Sequence, residues 1–233
     1  MANPVNHVGK AADDDNNHMA AEPSGRWRRL KDATEQTHDR LDHRIMAAEP
    51  FASRERYGRF VLVQHAFHRD IDALYSNADL TALFADLASR RRLGAIVQDL
   101  ADLGLTPTAQ QAPTPFATEV DIPSAVGWLY VAEGSNLGAA FLLKAAARLG
   151  FDESCGARHL AAAPEGRGLS WRKFTTALDA IPLTSDAEER VFAGARAAFS
   201  RVHALVEATL PAVGTPATEP DRIPSPQGAL STP

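Results

Sequence analysis

Apolar residues recur at intervals of three and four along most of the chain between about residues 25 and 210. This is the period of an amphipathic α-helix, in which one stripe of side chains faces the core. The first stripe contains Trp27, Leu30, Thr34, His38, Leu41 and Ile45. No segment shows the sustained two-residue alternation of a β-strand. We therefore predict an all-α, single-domain, multihelical fold.

Capping and helix-breaking residues place the predicted helix boundaries. Ser53 opens the second helix, and Pro123 suits the first turn of a long helix that continues to about Gly150. Ser185 and Glu188 form a capping-box pattern at the start of the last helix. The remaining predicted helices are shorter and cover 79–90, 92–103 and about 170–180.

Composition excludes several classes of function. The 233 residues include 24 Lys and Arg against 29 Asp and Glu, a net charge of −5, which argues against general affinity for nucleic acid. One cysteine, Cys155, excludes a disulfide framework or a cysteine-built metal site within a single chain. No apolar run approaches the roughly 20 residues of a membrane span, and the N-terminus lacks a signal-peptide pattern. We expect a cytoplasmic protein that binds neither nucleic acid nor membrane.

The two ends of the chain differ from its body. Residues 1–24 are polar and irregular, and residues 211–233 contain six prolines. Such segments do not form packed helices. We expect a disordered leader over 1–24, a folded domain over 25–210 and a disordered Pro-rich tail over 211–233.

His38 is the first candidate for chemistry, because the helical period places its imidazole on the predicted buried stripe beside Leu41 and Ile45. One interpretation is a core histidine that hydrogen-bonds to a neighbour. Another is a ligand to iron. Glu35 and His38 also form the Glu-x-x-His unit of di-iron bundles, but the sequence holds no second copy of that unit.

The middle of the long helix contains Gly134 and Gly138, which lie four residues apart and therefore on one face. Each costs about 1 kcal/mol relative to alanine in a helix interior. Close helix packing or a kink is one explanation. The other is a backbone surface that lies flat against a planar ligand. Together with an imidazole on another helix, this second explanation makes a sandwiched haem plausible.

Polar residues near these positions suit the same interpretation. Gln64 and His68 share a helix face and can hold a buried water chain or form a satisfied polar pair. Lys31 precedes His38 by two helical turns, about 10 Å, which suits a cation that reaches a haem propionate. The run from Arg90 to Arg92 is solvated, or sends one member inward.

Four segments resemble the bacterial haem oxygenases of the iron-acquisition type found in Neisseria and Pseudomonas. They cover 29–42 (RLKDATEQTHDRLD), 64–72, 127–150 (GWLYVAEGSNLGAAFLLKAAARLG) and 156–174. The resemblance extends over about 27–208. It implies a haem oxygenase-like fold in which haem lies between a proximal and a distal helix.

The resemblance also implies the reaction. Haem is both substrate and prosthetic group, and it is opened to biliverdin with release of Fe2+ and CO. The reaction needs O2 and an external redox donor protein, which is a ferredoxin, a flavodoxin or a flavin/NADPH reductase. A monomer is expected.

The resemblance assigns site residues in turn. His38 takes the place of the axial ligand to the haem iron. Gly134 and Gly138 contact the haem face, with Ser135 and Asn136 in the same distal turn. Distal water is anchored by Gln64, His68 and Arg92. The propionates are bound by Lys31 and Tyr130, which favours the IXα isomer of biliverdin, and Lys144 is a competing propionate partner.

Two further questions stay open at this level. An acidic electron-donor protein can dock on basic side chains, and the candidates are Arg158, Arg167, Arg172 and Lys173. The alternative is that these side chains are simply solvated. The chain can also be a haem-binding carrier or sensor that never turns its haem over, or a purely structural helical adaptor. The glycines disfavour a carrier, and the long match to the distal helix disfavours an adaptor.

Overall fold

A computed structural model describes residues 25–107, 114–116 and 119–210. The proposed leader, 1–24, and tail, 211–233, lie outside the described residues. The described ranges hold seven α-helices and three short 3-10 helices, and no β-strand. The α-helices are α1 Arg26–Ala47, α2 Arg54–Ile71, α3 Ala78–Leu83, α4 Leu93–Asp102, α5 Ile122–Ala147, α6 Arg167–Ala180 and α7 Ser185–Thr209. The predicted all-α class is confirmed.

Most of the predicted helix starts are confirmed within a few residues. The Ser53 side chain caps α2 by accepting a hydrogen bond from the backbone N–H of Arg56. The capping box at Ser185 and Glu188 is wrong, because Thr184 is the capping residue and accepts from the N–H of Ala187. The single helix predicted over 79–90 is also wrong. The chain leaves α3 at Phe84, which adopts an extended conformation.

Burial of Phe84 accounts for that break. Its side chain is 1% exposed and stacks on Phe174 of α6, with ring centroids 4.8 Å apart. A continuous helix would carry this ring away from the core, and stacked aromatic burial outweighs the lost helical turn. A short 3-10 helix, Leu87–Arg90, then turns the chain towards α4.

α5 and α7 pack backbone against backbone. A Cβ atom built on Gly127 would stand 2.1 Å from the carbonyl oxygen of Val191, and one on Gly194 would stand 2.1 Å from that of Ser124. Both positions therefore require glycine. This backbone contact fixes α5 against α7 and so fixes the position of the Gly134 region.

α1 also packs on α7, and it is held near both ends. At its start, Arg26 donates to the carbonyls of Leu178 and Ile181, the latter at 2.9 Å. At its end, Arg44 pairs with Glu207 at 2.6 Å and donates to the carbonyl of Leu210 at 2.7 Å. α1 and α5 thus both pack on α7 and make little direct contact with each other.

No helix in the described ranges is both long and apolar enough to cross a membrane.

Candidate active site

His38 lies in the middle of α1 with its side chain 56% exposed. The prediction that it is buried, and with it the core-histidine interpretation, is wrong. α1 buries Leu30, Thr34 and Leu41, whereas His38 lies at the margin of the contact with α7. There its ring edge approaches Phe199 at a centroid distance of 6.2 Å.

The imidazole of His38 is available to a ligand. Its Nδ1 atom lies 3.5 Å from the carboxylate of Asp39 and 3.8 Å from that of Asp42, both longer than a normal hydrogen bond. Among the described residues, no group of three or more His, Cys, Asp or Glu side chains is arranged to hold a metal ion. The di-iron interpretation of Glu35 and His38 therefore finds no support.

Two of the three glycines of α5, Gly134 and Gly138, have room for a Cβ atom. A Cβ on Gly138 would meet no atom within 4 Å, and one on Gly134 would make only an ordinary contact of 3.7 Å with Trp171. Packing between helices thus explains neither glycine. It explains Gly127 and Gly194 instead, which sequence reasoning did not single out.

Large apolar side chains accompany this open strip. Leu137 is 45% exposed and Phe141 is 83% exposed. Apolar side chains that are exposed to water beside backbone without side chains are a typical binding surface for a flat apolar ligand. The strip therefore fits a haem, as the exposed imidazole on α1 does.

The distal turn between the glycines is tied to the loop that follows α5. Ser135 donates to the carbonyl of Ala132 at 2.7 Å, and the carbonyl of Asn136 accepts from Arg167 at 3.1 Å. Arg167 also donates to the carbonyl of Leu160. This guanidinium connects the turn in α5 to the 3-10 helix Arg158–Leu160.

On α2, Gln64 is half-buried and His68 is buried. Burial, together with the charge of Arg92 and the neighbouring imidazoles of His159 and His65, lowers the pKa of His68 to about 3. His68 is therefore neutral at physiological pH. Its Nδ1 atom has no hydrogen-bond partner within the described part of the chain.

The arginine run divides between surface and interior. Arg91 pairs with Asp72 at 2.6 Å on the surface. Arg92 points inward, donates to the carbonyl of His159 at 2.6 Å, and has its pKa lowered by burial. Arg90 is 9% exposed. Two members of the run therefore reach inward, where the sequence indicated at most one.

Sequence reasoning missed Glu133, the buried carboxylate that pairs with Arg90. Glu133 is 4% exposed and accepts from Arg90 at 2.9 Å and from the hydroxyl of Tyr75 at 3.3 Å. Burial raises the pKa of Glu133, and the charge of Arg90 opposes that rise. A signal was present, since Glu133 is the one charged residue between 122 and 143.

A cavity of about 380 Å³ adjoins this network. Its lining includes Arg90, Arg92, Glu133, Asn136, Arg167 and Trp171. The structure thus brings Arg92 and Asn136 together at one cavity. Gln64 and His68 are not part of its lining.

A sequence profile described as Heme oxygenase matches residues 27–208. The chain belongs to the haem oxygenase family.

Individual relatives agree with this assignment. The chain is 44% identical over 184 residues to the heme oxygenase PigA of Pseudomonas aeruginosa, covering 79% of this chain and 92% of that protein. It is similar to the NO- and CO-bound heme oxygenase of Neisseria meningitidis, with a TM-score of 0.76 and 41% identity over 80% of this chain and 92% of the other.

A more distant relative shares the fold alone. Heme oxygenase-1 of the cyanobacterium Synechocystis, solved in complex with heme, has a TM-score of 0.63 at 14% identity, over 80% of this chain and 94% of that one. The expected likeness to the bacterial haem oxygenases is confirmed, and with it the interpretation of the chain as an enzyme of haem degradation.

In this haem oxygenase, the three candidate propionate residues differ in exposure. Lys31 and Lys144 are exposed, whereas Tyr130 is 8% exposed. The hydroxyl of Tyr130 lies beside Thr34 of α1, and burial raises its pKa. Tyr130 therefore reaches from α5 to the helix that carries His38.

The basic residues suggested for donor docking are mostly engaged within the haem oxygenase domain. Arg158 pairs with Asp99 and Asp102, and Lys173 pairs with Glu165 at 2.8 Å. Arg167 donates to backbone carbonyls. Arg172 is exposed. These four side chains do not form a free basic patch.

Proposed function

We propose that this chain opens haem to biliverdin, with release of Fe2+ and CO, and that it uses O2 and electrons from an external donor. The observation that carries the proposal is the pair of features on α1 and α5. An exposed imidazole lies on one helix, and a glycine-opened apolar strip lies on the other. A haem bound between these helices supplies the iron at which O2 is activated.

His38 would hold the iron from the α1 side as the axial ligand. A neutral imidazole would donate less charge to the iron than the thiolate of some other haem enzymes, and so would not promote heterolytic cleavage of the bond between the two oxygen atoms. The neighbouring carboxylates of Asp39 and Asp42 are exposed and at least 3.5 Å from Nδ1, so they do little to change that character.

Gly134 and Gly138 would let the backbone of α5 lie against the haem face, with Ser135 and Asn136 completing the distal turn. Because the carbonyl of Asn136 is held by Arg167, this turn is fixed in place. Phe141 and Leu137 would cover apolar haem edge and exclude water. The enzyme then acts by restricting which edge of the ring can be reached.

Gln64, His68 and Arg92 would anchor water on the distal side. His68 is suited to this role because it is buried and neutral, so that it hydrogen-bonds without bringing a charge into the site. Water then supplies the hydrogen bonds that an acidic side chain would otherwise make.

Lys31 and Tyr130 would bind the propionates, with Lys144 as the competing partner. Lys31 lies in α1 and the hydroxyl of Tyr130 lies beside Thr34 of the same helix, whereas Lys144 lies in the last turn of α5. Binding through the first two sets the rotation of the ring in the site, and we propose biliverdin IXα as the product. We further propose that the chain acts as a cytoplasmic monomer, supplied by a ferredoxin, a flavodoxin or a flavin/NADPH reductase.

A spectral time course tests the proposal. Purified protein is mixed with one equivalent of haemin, and ascorbate is added in air with catalase present to remove adventitious peroxide. We expect loss of the Soret band with growth of a broad red bilin band, and chromatography of the product then identifies the isomer. A Soret band that forms and persists, even with ferredoxin and its reductase supplied, would favour the carrier or sensor instead.

A further inference from the structure

Asp99 on α4 anchors the loop that carries His159. Its carboxylate is fully buried and accepts four hydrogen bonds, from the backbone N–H groups of Arg158 and His159, from the Arg158 guanidinium and from the His159 ring, all at 2.8–3.0 Å. Burial raises the pKa of Asp99, but these hydrogen bonds outweigh burial, and the net pKa is lowered. Asp99 is therefore ionised.

An ionised carboxylate only accepts hydrogen bonds, so the proton between the two side chains belongs to Nδ1 of His159. The distance from Nδ1 to the Asp99 carboxylate is 2.8 Å. This contact fixes the tautomer and the orientation of the ring. Nε2, the other ring nitrogen, is buried with no hydrogen-bond partner among the described residues.

Two further buried side-chain atoms lack a hydrogen-bond partner in the part of the chain that the structure describes. They are Nδ1 of His68 and Nε of Arg92, both buried. Arg92 donates to the backbone carbonyl of His159 at 2.6 Å, and both Arg92 and His159 act on the charge state of His68. The three atoms comprise one N–H donor and two nitrogens able to accept.

We propose that His159 is a positioning residue for the haem oxygenase reaction, and that it binds a buried water together with His68 and Arg92. The water would donate its two O–H groups to Nε2 of His159 and Nδ1 of His68 and accept the N–H of Arg92. Buried waters typically make about three hydrogen bonds to polar groups that are otherwise unsatisfied.

This water site would extend the distal water beyond the residues assigned above. Leu160, next to His159, is joined by Arg167 to the carbonyl of Asn136 in the distal turn. The loop is thus held to the site on one side and to Asp99 on the other. The inference rests on the proposed function, because the water serves to orient proton delivery towards the substrate.

A crystal structure of the parent protein tests the site without activity. We expect an ordered water at about 3 Å from both Nδ1 of His68 and Nε2 of His159. A well-ordered map without that water would overturn the inference, whatever the turnover. A parent that shows the water but does not convert haemin would overturn the proposed function and would leave the water site standing.

Two variants test the positioning role. His159→Gln removes the fixed imidazole, and Asp99→Asn keeps the imidazole but removes the group that sets its tautomer. We expect each to bind haemin with nearly unchanged affinity, to form bilin about 10-fold more slowly, and to show a larger solvent deuterium isotope effect than the parent.

The matched control is His203→Gln, on the exposed face of α7. It should leave the rate and the isotope effect unchanged. If His159→Gln also turns haemin over within twofold of the parent, with the parent's isotope effect, His159 has only a structural role.

Discussion

Gly194 of α7 lies against the backbone of Ser124 in α5, so closely that a Cβ on the glycine would stand 2.1 Å from the Ser124 carbonyl oxygen. The contact between Gly127 of α5 and the Val191 carbonyl of α7 is equally close. These close contacts fix the position of the part of α5 that contains Gly134 and Gly138. Their role differs in kind from that of Gly138, which faces open space.

Substitution of these glycines by alanine should separate the two roles. We expect Gly194→Ala to lower the free energy of unfolding by about 1–3 kcal/mol or more, because backbone must move to make room. Gly138→Ala should leave it unchanged or raise it by up to about 1 kcal/mol, because alanine is the better helix former. Urea unfolding of both variants measures the difference, and equal effects would contradict this account.

A bulky residue at Gly138 should impair chemistry more than binding. A Cβ atom at Gly138 meets no atom within 4 Å, so we expect the fold to accept Gly138→Leu, but the side chain would project into the space assigned to haem and O2. We expect bilin formation to slow about 10-fold or more while haemin affinity changes little. Ala147→Leu, exposed in the last turn of α5, is the control. Equal turnover by Gly138→Leu and the parent would defeat the assignment.

Free imidazole in solution should partly replace the His38 side chain after that side chain has been removed by mutation. His38→Ala should alter the Soret and electron paramagnetic resonance spectra of the haemin complex and abolish most turnover. Because the site is 56% exposed, added imidazole should restore the spectrum in part. His43→Ala removes an exposed imidazole five residues further along α1 and should change neither. Indistinguishable spectra for the two variants would rule out His38 as the ligand.

The buried imidazole of His68 should make the protein sensitive to acid. An unfolded histidine takes up a proton near pH 6.5, whereas folded His68 does so only near pH 3. Its contribution to stability is therefore complete above pH 6.5 and is lost progressively between these values. From pH 7 to pH 5 this amounts to about 2 kcal/mol.

Urea unfolding at the two pH values measures this loss. His68→Gln should remove it, so that the variant loses about 2 kcal/mol less than the parent on acidification. His203→Gln should behave like the parent. A His68→Gln protein with the parent's full pH dependence would show that another group is responsible.

Periodicity predicted the helices because apolar stripes report directly which face of a helix is covered. It did not report what covers each face. His38 lies on the same stripe as Leu41, yet α7 leaves most of the His38 side chain exposed. The sequence identified the residue, and the neighbouring helix decided its exposure.

Glycines posed a similar problem within α5. Gly127, Gly134 and Gly138 look alike in the sequence, but only Gly127 faces another backbone. The contacts of Asp99 with His159 depend on residues 60 positions apart, which no local pattern contains. What remained unpredictable was long-range pairing, which tertiary structure alone creates.

The attachment of α1 at its two ends has a mechanical consequence. These attachments hold the two ends of α1, and His38 lies close to the middle of Arg26–Ala47, between the buried residues Thr34 and Leu41. The backbone on both sides of the imidazole is therefore held in place, and the exposed His38 side chain can still rotate about its own bonds. Loss of one attachment, at Arg26 or at Arg44, would release only that end of α1 and would tilt the helix that carries His38.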